Sequence, residues 1–357
     1  RKIELMNIYL FNMLLTIFWG SILLNKRNPQ KKIFIGIVSL QMILISALRD
    51  ISIGADTWNY ENHFRELIEL DMYSWKNLFL RIFQFGNYNS RDVGSELVTK
   101  LFATLIPNFR IYLFAVAIFV CWGLGRFLYK YSENLCLSYV IFQSFLFQFF
   151  LLTGIRQTIA VSLVVFWGYD LILDKKPVKF LLLCLVAMTF HSTAIIMLPF
   201  YFVCNYKKDY LGKYIIAIGA SVVFMLFGSR IFRYIPLGMF SNYATSQGIG
   251  SYTFILLMLL IVIATGLLDK SHYLKIRDQR DRNIINGTII SEVLIATSAI
   301  LDVLFRLGYY YIFFMLCLLP MLLKSFEGKS AKIVKCILYG VLLIYAYKLN
   351  LQYKFCF

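Results

Sequence analysis

A chain of 357 residues that is 60% hydrophobic and only 15% charged carries more apolar surface than a soluble core of its size can hide, which excludes a soluble enzyme or binding module. The expected fold is an all-α polytopic integral membrane protein, one membrane domain over residues 1–357 with about twelve transmembrane helices. The net charge of +17 does not point to nucleic acid, because no soluble domain exists to carry a basic face and cytoplasmic loops of a membrane protein account for it.

The first apolar run, Ile3 to Leu24, is too long for a signal peptide, lacks its cleavage pattern and reads as a span. A second run at 33–48 leads into the longest polar connection, an outer loop over 49–107 with amphipathic helices. Further spans are expected near 108–128, 135–153, 157–173, 179–190, 192–204, 214–229, 251–268, 285–305, 308–323 and 332–348, with a second outer loop at 230–250. Alternatively, 179–190 and 192–204 form one longer span, which would reverse the side of everything after it. Short loops at 25–32, 124–134, 174–178, 205–213, 269–284 and 324–335 hold more than half of the 36 lysines and arginines. Such loops stay in the cytoplasm, so both chain ends and the acid-rich loop at 49–107 are expected outside.

The seven cysteines are scattered through apolar runs without the spacing of a zinc or redox site and read as small hydrophobes. No phosphate loop, zinc helix or nucleophile elbow is present, and the outer acids form no metal-binding pair, so neither metal nor cofactor is expected.

Arginines stand at the outer helix ends: Arg49, Arg156 and Arg306, with Arg230 and Arg233 beside them. A guanidinium forks onto phosphate oxygens, so several converging would hold a diphosphate. The plainer alternative is that each snorkels to the interface or pairs with a carboxylate, as Arg306 could with Asp302 four residues earlier. His191 is either a general base or a neutral core histidine. Asp56 or Thr57 can cap a helix beginning at Trp58, on which Asp56, Tyr60 and either His63 or Phe64 share a face and Glu61 can pair with Arg65. Asp92 is expected to cap the next helix. Aromatic residues near the outer side, Trp58, Trp75 and Tyr309 to Tyr311 among them, serve as a sugar-stacking surface or, more simply, as an interfacial belt. Asp170, Glu292 and Asp302 fall within spans and could form an ion path.

Three patterns in order, Arg49 to Tyr60 with its Arg49, Gly54, Asp56, Tyr60 and Phe64 spacing, then Gly154-Ile155-Arg156-Gln157, then Phe190-His191-Ser192, resemble the EpsG/Wzy-type polysaccharide polymerases. Phe305-Arg306-Leu307-Gly308-Tyr309-Tyr310-Tyr311 resembles the Arg followed by tyrosines of the same family, and Asp92-Val93-Gly94-Ser95-Glu96-Leu97 its acidic-x-Gly-x-x-Leu signal, departing from it at Ser95 where an aromatic often stands. The resemblance implies an integral-membrane glycosyltransferase of the bacterial cytoplasmic (inner) membrane, acting at its extracytoplasmic face on polyprenyl-diphosphate-linked oligosaccharides as donor and acceptor. It also implies membrane lipid, a chain-length regulator and a flippase as partners. It favours catalytic roles for His191, Arg156, Arg306 and Asp56, and substrate contacts from Arg49, Gln157, Tyr60, Arg230, Arg233 and Tyr310. The rival readings are a flippase or ion-coupled transporter, and an O-antigen ligase.

Overall fold

The computed structural model describes residues 7–70, 73–82, 92–205, 211–232, 250–348 and 353–356. These are mostly helical, with turns and loops between the helices and one isolated β-bridge between Arg49 and Phe355. In chain order the helices are α1 (Ile8–Leu23), α2 (Lys31–Ala47), α3 (Thr57–Glu69), α4 (Trp75–Ile82), α5 (Val93–Leu105), α6 (Phe109–Tyr131), α7 (Leu135–Phe145), α8 (Ile155–Val161), α9 (Gly168–Leu173), α10 (Pro177–Phe190), α11 (Leu198–Asn205), α12 (Gly212–Phe232), α13 (Gly250–Lys270), α14 (Gln279–Ala296), α15 (Phe305–Gly308), α16 (Met315–Leu323) and α17 (Gly328–Lys348). Side-chain caps from Asn7, Asn108, Asn134 and Asp278 start α1, α6, α7 and α14 by accepting backbone N–H bonds of the first turn.

Twelve uninterrupted spans are not what the described residues contain. Five helical stretches are long and apolar enough to cross a membrane: Phe109–Tyr131, Ile155–Leu173, Gly212–Ile231, Tyr252–Lys270 and Gly328–Tyr347. A sixth arises if Asp302–Gly308 and Ile312–Leu323, bent by 56°, count as one. Ile8–Leu23, Leu135–Phe145, Pro177–Phe190 and Ser192–Asn205 are apolar but shorter. The shortfall has a local cause: the apolar run at 135–153 leaves α-geometry for a π-helical turn at Gln148–Thr153, and the run after Glu292 breaks into 3-10 turns at Thr297–Ala299 and Asp302–Leu304. Large apolar side chains such as Trp122, Phe202, Ile215 and Leu226 face outward, as expected of surfaces solvated by lipid rather than water.

The chain divides into two compact units. The first comprises residues 1–170, 178–195 and 333–357. In it α2 packs along α6 and α1 along α7, while the loop helices α3 and α4 each pack on α5. The loop helices are tied by charge: Arg81 on α4 grips Glu96 on α5 through Nη1 to Oε2 at 2.7 Å, and Lys100 on α5 donates to the Leu67 carbonyl in the last turn of α3 at 2.6 Å. The expected Glu61–Arg65 pair forms at 2.6 Å. Asp170 is not part of a chain of acids, for Arg126, Lys130 and Tyr131 close around it.

The second unit comprises residues 171–177 and 196–332. Its centre is α14, against which α11, α12, α13, α15 and α16 pack. Asp281, in the first turn of α14, is buried; burial alone would raise its pKa, but hydrogen bonds from the Arg277 side chain and backbone hold it below the ordinary carboxylate value. Glu292 further along α14 is fully buried, with Ser221 as its polar neighbour.

Candidate functional site

The end of α2 explains much of the site's framework. The last carbonyls of a helix have no partner within it, and its C-terminus carries partial negative charge. Here each is met in turn. Tyr353 donates to the Ile45 carbonyl at 2.6 Å, Arg49 Nη1 to that of Ser46, Arg110 Nη1 to that of Ala47 at 2.9 Å, and Cys356 N to that of Leu48 at 3.0 Å. Arg110 also bonds the Arg49 carbonyl, and Asp50 N donates to the Lys354 carbonyl at 2.8 Å. Residues 353–356 therefore lie beside the start of the 49–107 loop.

Arg49 is 1% exposed. Its Nε donates to the Thr57 hydroxyl at 3.2 Å, and no carboxylate pairs with it among the described residues. Burial pushes the guanidinium down to about 10, which leaves it charged at neutral pH. A side chain so enclosed supports the loop and presents no surface to a substrate.

Thr57 is the second support. Its hydroxyl bonds the Ile53 carbonyl at 2.7 Å and the Leu152 carbonyl at 3.2 Å, while the Ser46 hydroxyl takes the Leu151 carbonyl at 2.7 Å. These two carbonyls belong to the π-helical turn preceding Gly154, where the helical ladder is interrupted. Irregular backbone survives at membrane depth only when such groups are satisfied, and Ser46 and Thr57 do this. Gly54 makes the approach possible: its φ is +88°, and a methyl group there would lie 2.0 Å from the Leu152 oxygen. Asp56 and Thr57 thus do not cap α3 through their side chains; Asp56 stands at the cap position without a side-chain bond, and the Thr57 hydroxyl is spent on the loop and the broken helix.

As expected, the preceding helix ends before Arg156, which opens α8 in a half-exposed position. Its Nη1 meets Asp92 Oδ2 at 3.0 Å, and its guanidinium carbon lies 5.9 Å from the centre of the Tyr60 ring. Asp92 takes a left-handed backbone (φ 57°) at the start of α5 and makes no side-chain cap, because its carboxylate is turned to Arg156. Burial raises the Tyr60 phenol above its ordinary value, against the lowering influence of Arg156. Gln157, the next residue, is buried.

The last turn of α10 closes the group. A methyl on Gly94 would lie 2.0 Å from Thr189 Oγ1, so α5 and α10 touch at this glycine. Phe190 packs on the apolar cluster that also holds Tyr60, Phe64, Phe109, Tyr112 and Ile155. His191 follows immediately, at the point where α10 gives way to a 3-10 turn over Ser192–Met197, with its Nδ1 2.6 Å from the Thr193 hydroxyl. The break expected at this histidine is present. The three motif segments, far apart in sequence, converge within the first unit.

Arg306, Tyr310 and Arg230 belong to the second unit. Arg306 lies on the single turn α15, Tyr310 is fully buried, and Arg230 in the last turn of α12 lies over the Phe227 ring at 5.5 Å. Arg233, like most of the expected second outer loop, lies outside the described residues. Among the described residues no three His, Cys, Asp or Glu side chains are grouped to hold a metal ion.

Sequence reasoning missed Arg110 and the Asp92–Arg156 pair. A cation in the first turn of a long apolar helix, where the dipole disfavours it, was the available signal for Arg110.

No curated protein and no solved structure matches the chain. The model of one family, EpsG, matches residues 32–355, nearly the whole length and all five motif segments. With that coverage, the chain belongs to the EpsG family, which includes Wzy-type polysaccharide polymerases.

Proposed function

We propose that the protein is an integral-membrane glycosyltransferase that polymerises polyprenyl-diphosphate-linked oligosaccharide repeat units into O-antigen, capsular or exopolysaccharide at the outer face of the bacterial cytoplasmic membrane. The observation that carries this reading is the half-exposed Arg156 at a helix break, flanked by Asp92, Tyr60 and the segment leading to His191. The acceptor hydroxyl oxygen attacks the anomeric carbon of the donor glycan, the bond from that carbon to the diphosphate oxygen breaks, and the diphosphate leaves with the electron pair.

Charge develops on that leaving group, and arginines stabilise it without a metal. Arg156 is the first candidate for this role and Arg306, in the family-like Arg-plus-tyrosines pattern, the further one; Arg49 contributes by holding the loop. His191 accepts the hydroxyl proton. In the tautomer whose Nδ1–H donates to the Thr193 oxygen, Nε2 keeps the lone pair a base requires. Asp56 is the alternative base or orients a sugar.

The test uses purified full chain and lipid-linked repeat unit, with no nucleotide sugar, metal or ion gradient. The expected product is a ladder spaced by one repeat unit, abolished by Arg156→Ala and His191→Ala. Arg156→Lys retains charge but not the forked contact and should slow turnover by about tenfold or more. A wild-type ladder from Arg156→Lys would defeat the assignment. The buried Glu292 favours a second reading, transport of the same lipid-linked glycan; a flippase would move the substrate across vesicles without changing its mass.

A further inference from the structure

The seam between α2 and α6 contains an open groove of about 450 Å³, lined by none of the motif residues. The two helices run antiparallel, since Arg110 at the start of α6 bonds the Ala47 carbonyl at the end of α2 while Gly125 near the other end of α6 meets Ile35. The groove follows Lys32, Gly36, Ser39 and Ile43 on α2, and is faced by Ile118, Trp122 and Tyr129 on α6. Its walls are almost wholly apolar except at the Lys32 end.

Ile43 lies eleven positions after Lys32. At 1.5 Å per residue that is roughly 16 Å, about half of the ~30 Å hydrocarbon layer. The groove therefore matches one leaflet in length, with its charged end where headgroups lie. Of the cations there, Arg126 and Lys130 are engaged by Asp170, whereas Lys32 is exposed and has no carboxylate partner among the described residues. Gly36 leaves the floor open, with nothing within 4 Å of where a Cβ would sit.

We infer that this groove binds an anionic phospholipid of the leaflet in which the Lys-rich ends of α2 and α6 lie, with one acyl chain along Gly36, Ser39 and Ile43 and the phosphate at Lys32. Charge complementarity selects the headgroup, and the length selects a chain of one leaflet.

The experiment is native mass spectrometry of the purified full chain with phosphatidylglycerol or phosphatidylcholine. Wild type should retain phosphatidylglycerol preferentially. Lys32→Gln should lower that preference about fivefold, the worth of one lysine near an anionic headgroup, and Gly36→Phe should abolish retention of both lipids at this site. Neither change disturbs packing, because Lys32 is exposed and Gly36 opens into space; unchanged elution and helix content verify this. Equal retention of the two lipids by wild type, or unchanged phosphatidylglycerol retention in either variant, overturns the inference. So does displacement of phosphatidylglycerol by an equimolar prenyl phosphate, which would identify a different occupant.

Discussion

The contact between α5 and α10 makes the sharpest prediction. A methyl on Gly94 would sit 2.0 Å from Thr189 Oγ1, 2.7 Å from its Cβ and 3.1 Å from its backbone carbon. Ordinary van der Waals separation requires the two helices to part by about 1 Å, and forced overpacking of this kind costs about 1–3 kcal/mol. Gly94→Ala should thus lower the melting temperature in detergent by a few degrees. The larger effect should be on turnover, because parting these helices draws Asp92, two residues before Gly94, away from the segment ending at His191. A misplacement of about 1 Å can cost 100-fold. The assay is the repeat-unit ladder, quantified at saturating substrate, beside a thermal melt. Adding Thr189→Gly removes the atoms at 2.0 and 2.7 Å and leaves the 3.1 Å contact, so the double variant should recover most of the lost turnover, apart from about 1 kcal/mol for a glycine in a helical turn. A Gly94→Ala protein with unaltered melting and ladder, or a double variant no better than Gly94→Ala, would refute the reasoning.

Arg49→Lys should lose about 2 kcal/mol, one charge-assisted hydrogen bond, because an ammonium cannot hold both Ser46 and Thr57. Its KM for the lipid-linked substrate should stay unchanged, and a raised KM at wild-type stability would show that the residue touches substrate instead. Gly54→Ala should cost about 1–3 kcal/mol from left-handed strain, and more from the clash with Leu152, whereas Gly36→Ala should be almost silent in the same melt. Asp281 supplies a pH signature. Its folded-state pKa lies below the ordinary 3.8, so its stabilisation is fully present above 3.8 and is lost as the pH falls through the lower folded value. Asp281→Asn should be destabilised at pH 7 and show a flatter decline on acidification; parallel wild-type and variant curves would count against the Arg277 pairing.

Much of the site was legible in the sequence because its signals are local. Apolar runs identify membrane segments through the cost of unsatisfied backbone in lipid, the polar stretch after Ala47 marks the loop, and Gly154 and His191 mark interruptions that a continuous helix would not carry. What the sequence could not specify is which side chain meets which backbone group across distances of tens of residues. It offered capping as one role for Asp56 and expected it of Asp92 from their positions, but tertiary approach offers the Asp92 carboxylate a guanidinium, and charge pairing outweighs a cap. It placed Arg49 at an outer helix end, where the folded chain encloses it and uses it to hold the Ser46 carbonyl and the Thr57 hydroxyl. It counted spans by hydropathy, which cannot register a π-helical turn whose freed carbonyls are taken up by Ser46 and Thr57. Composition and periodicity thus determined by themselves that this chain lives in a membrane. Only the tertiary structure decided which of its buried polar groups support the fold and which remain accessible, since that depends on partners no local pattern records.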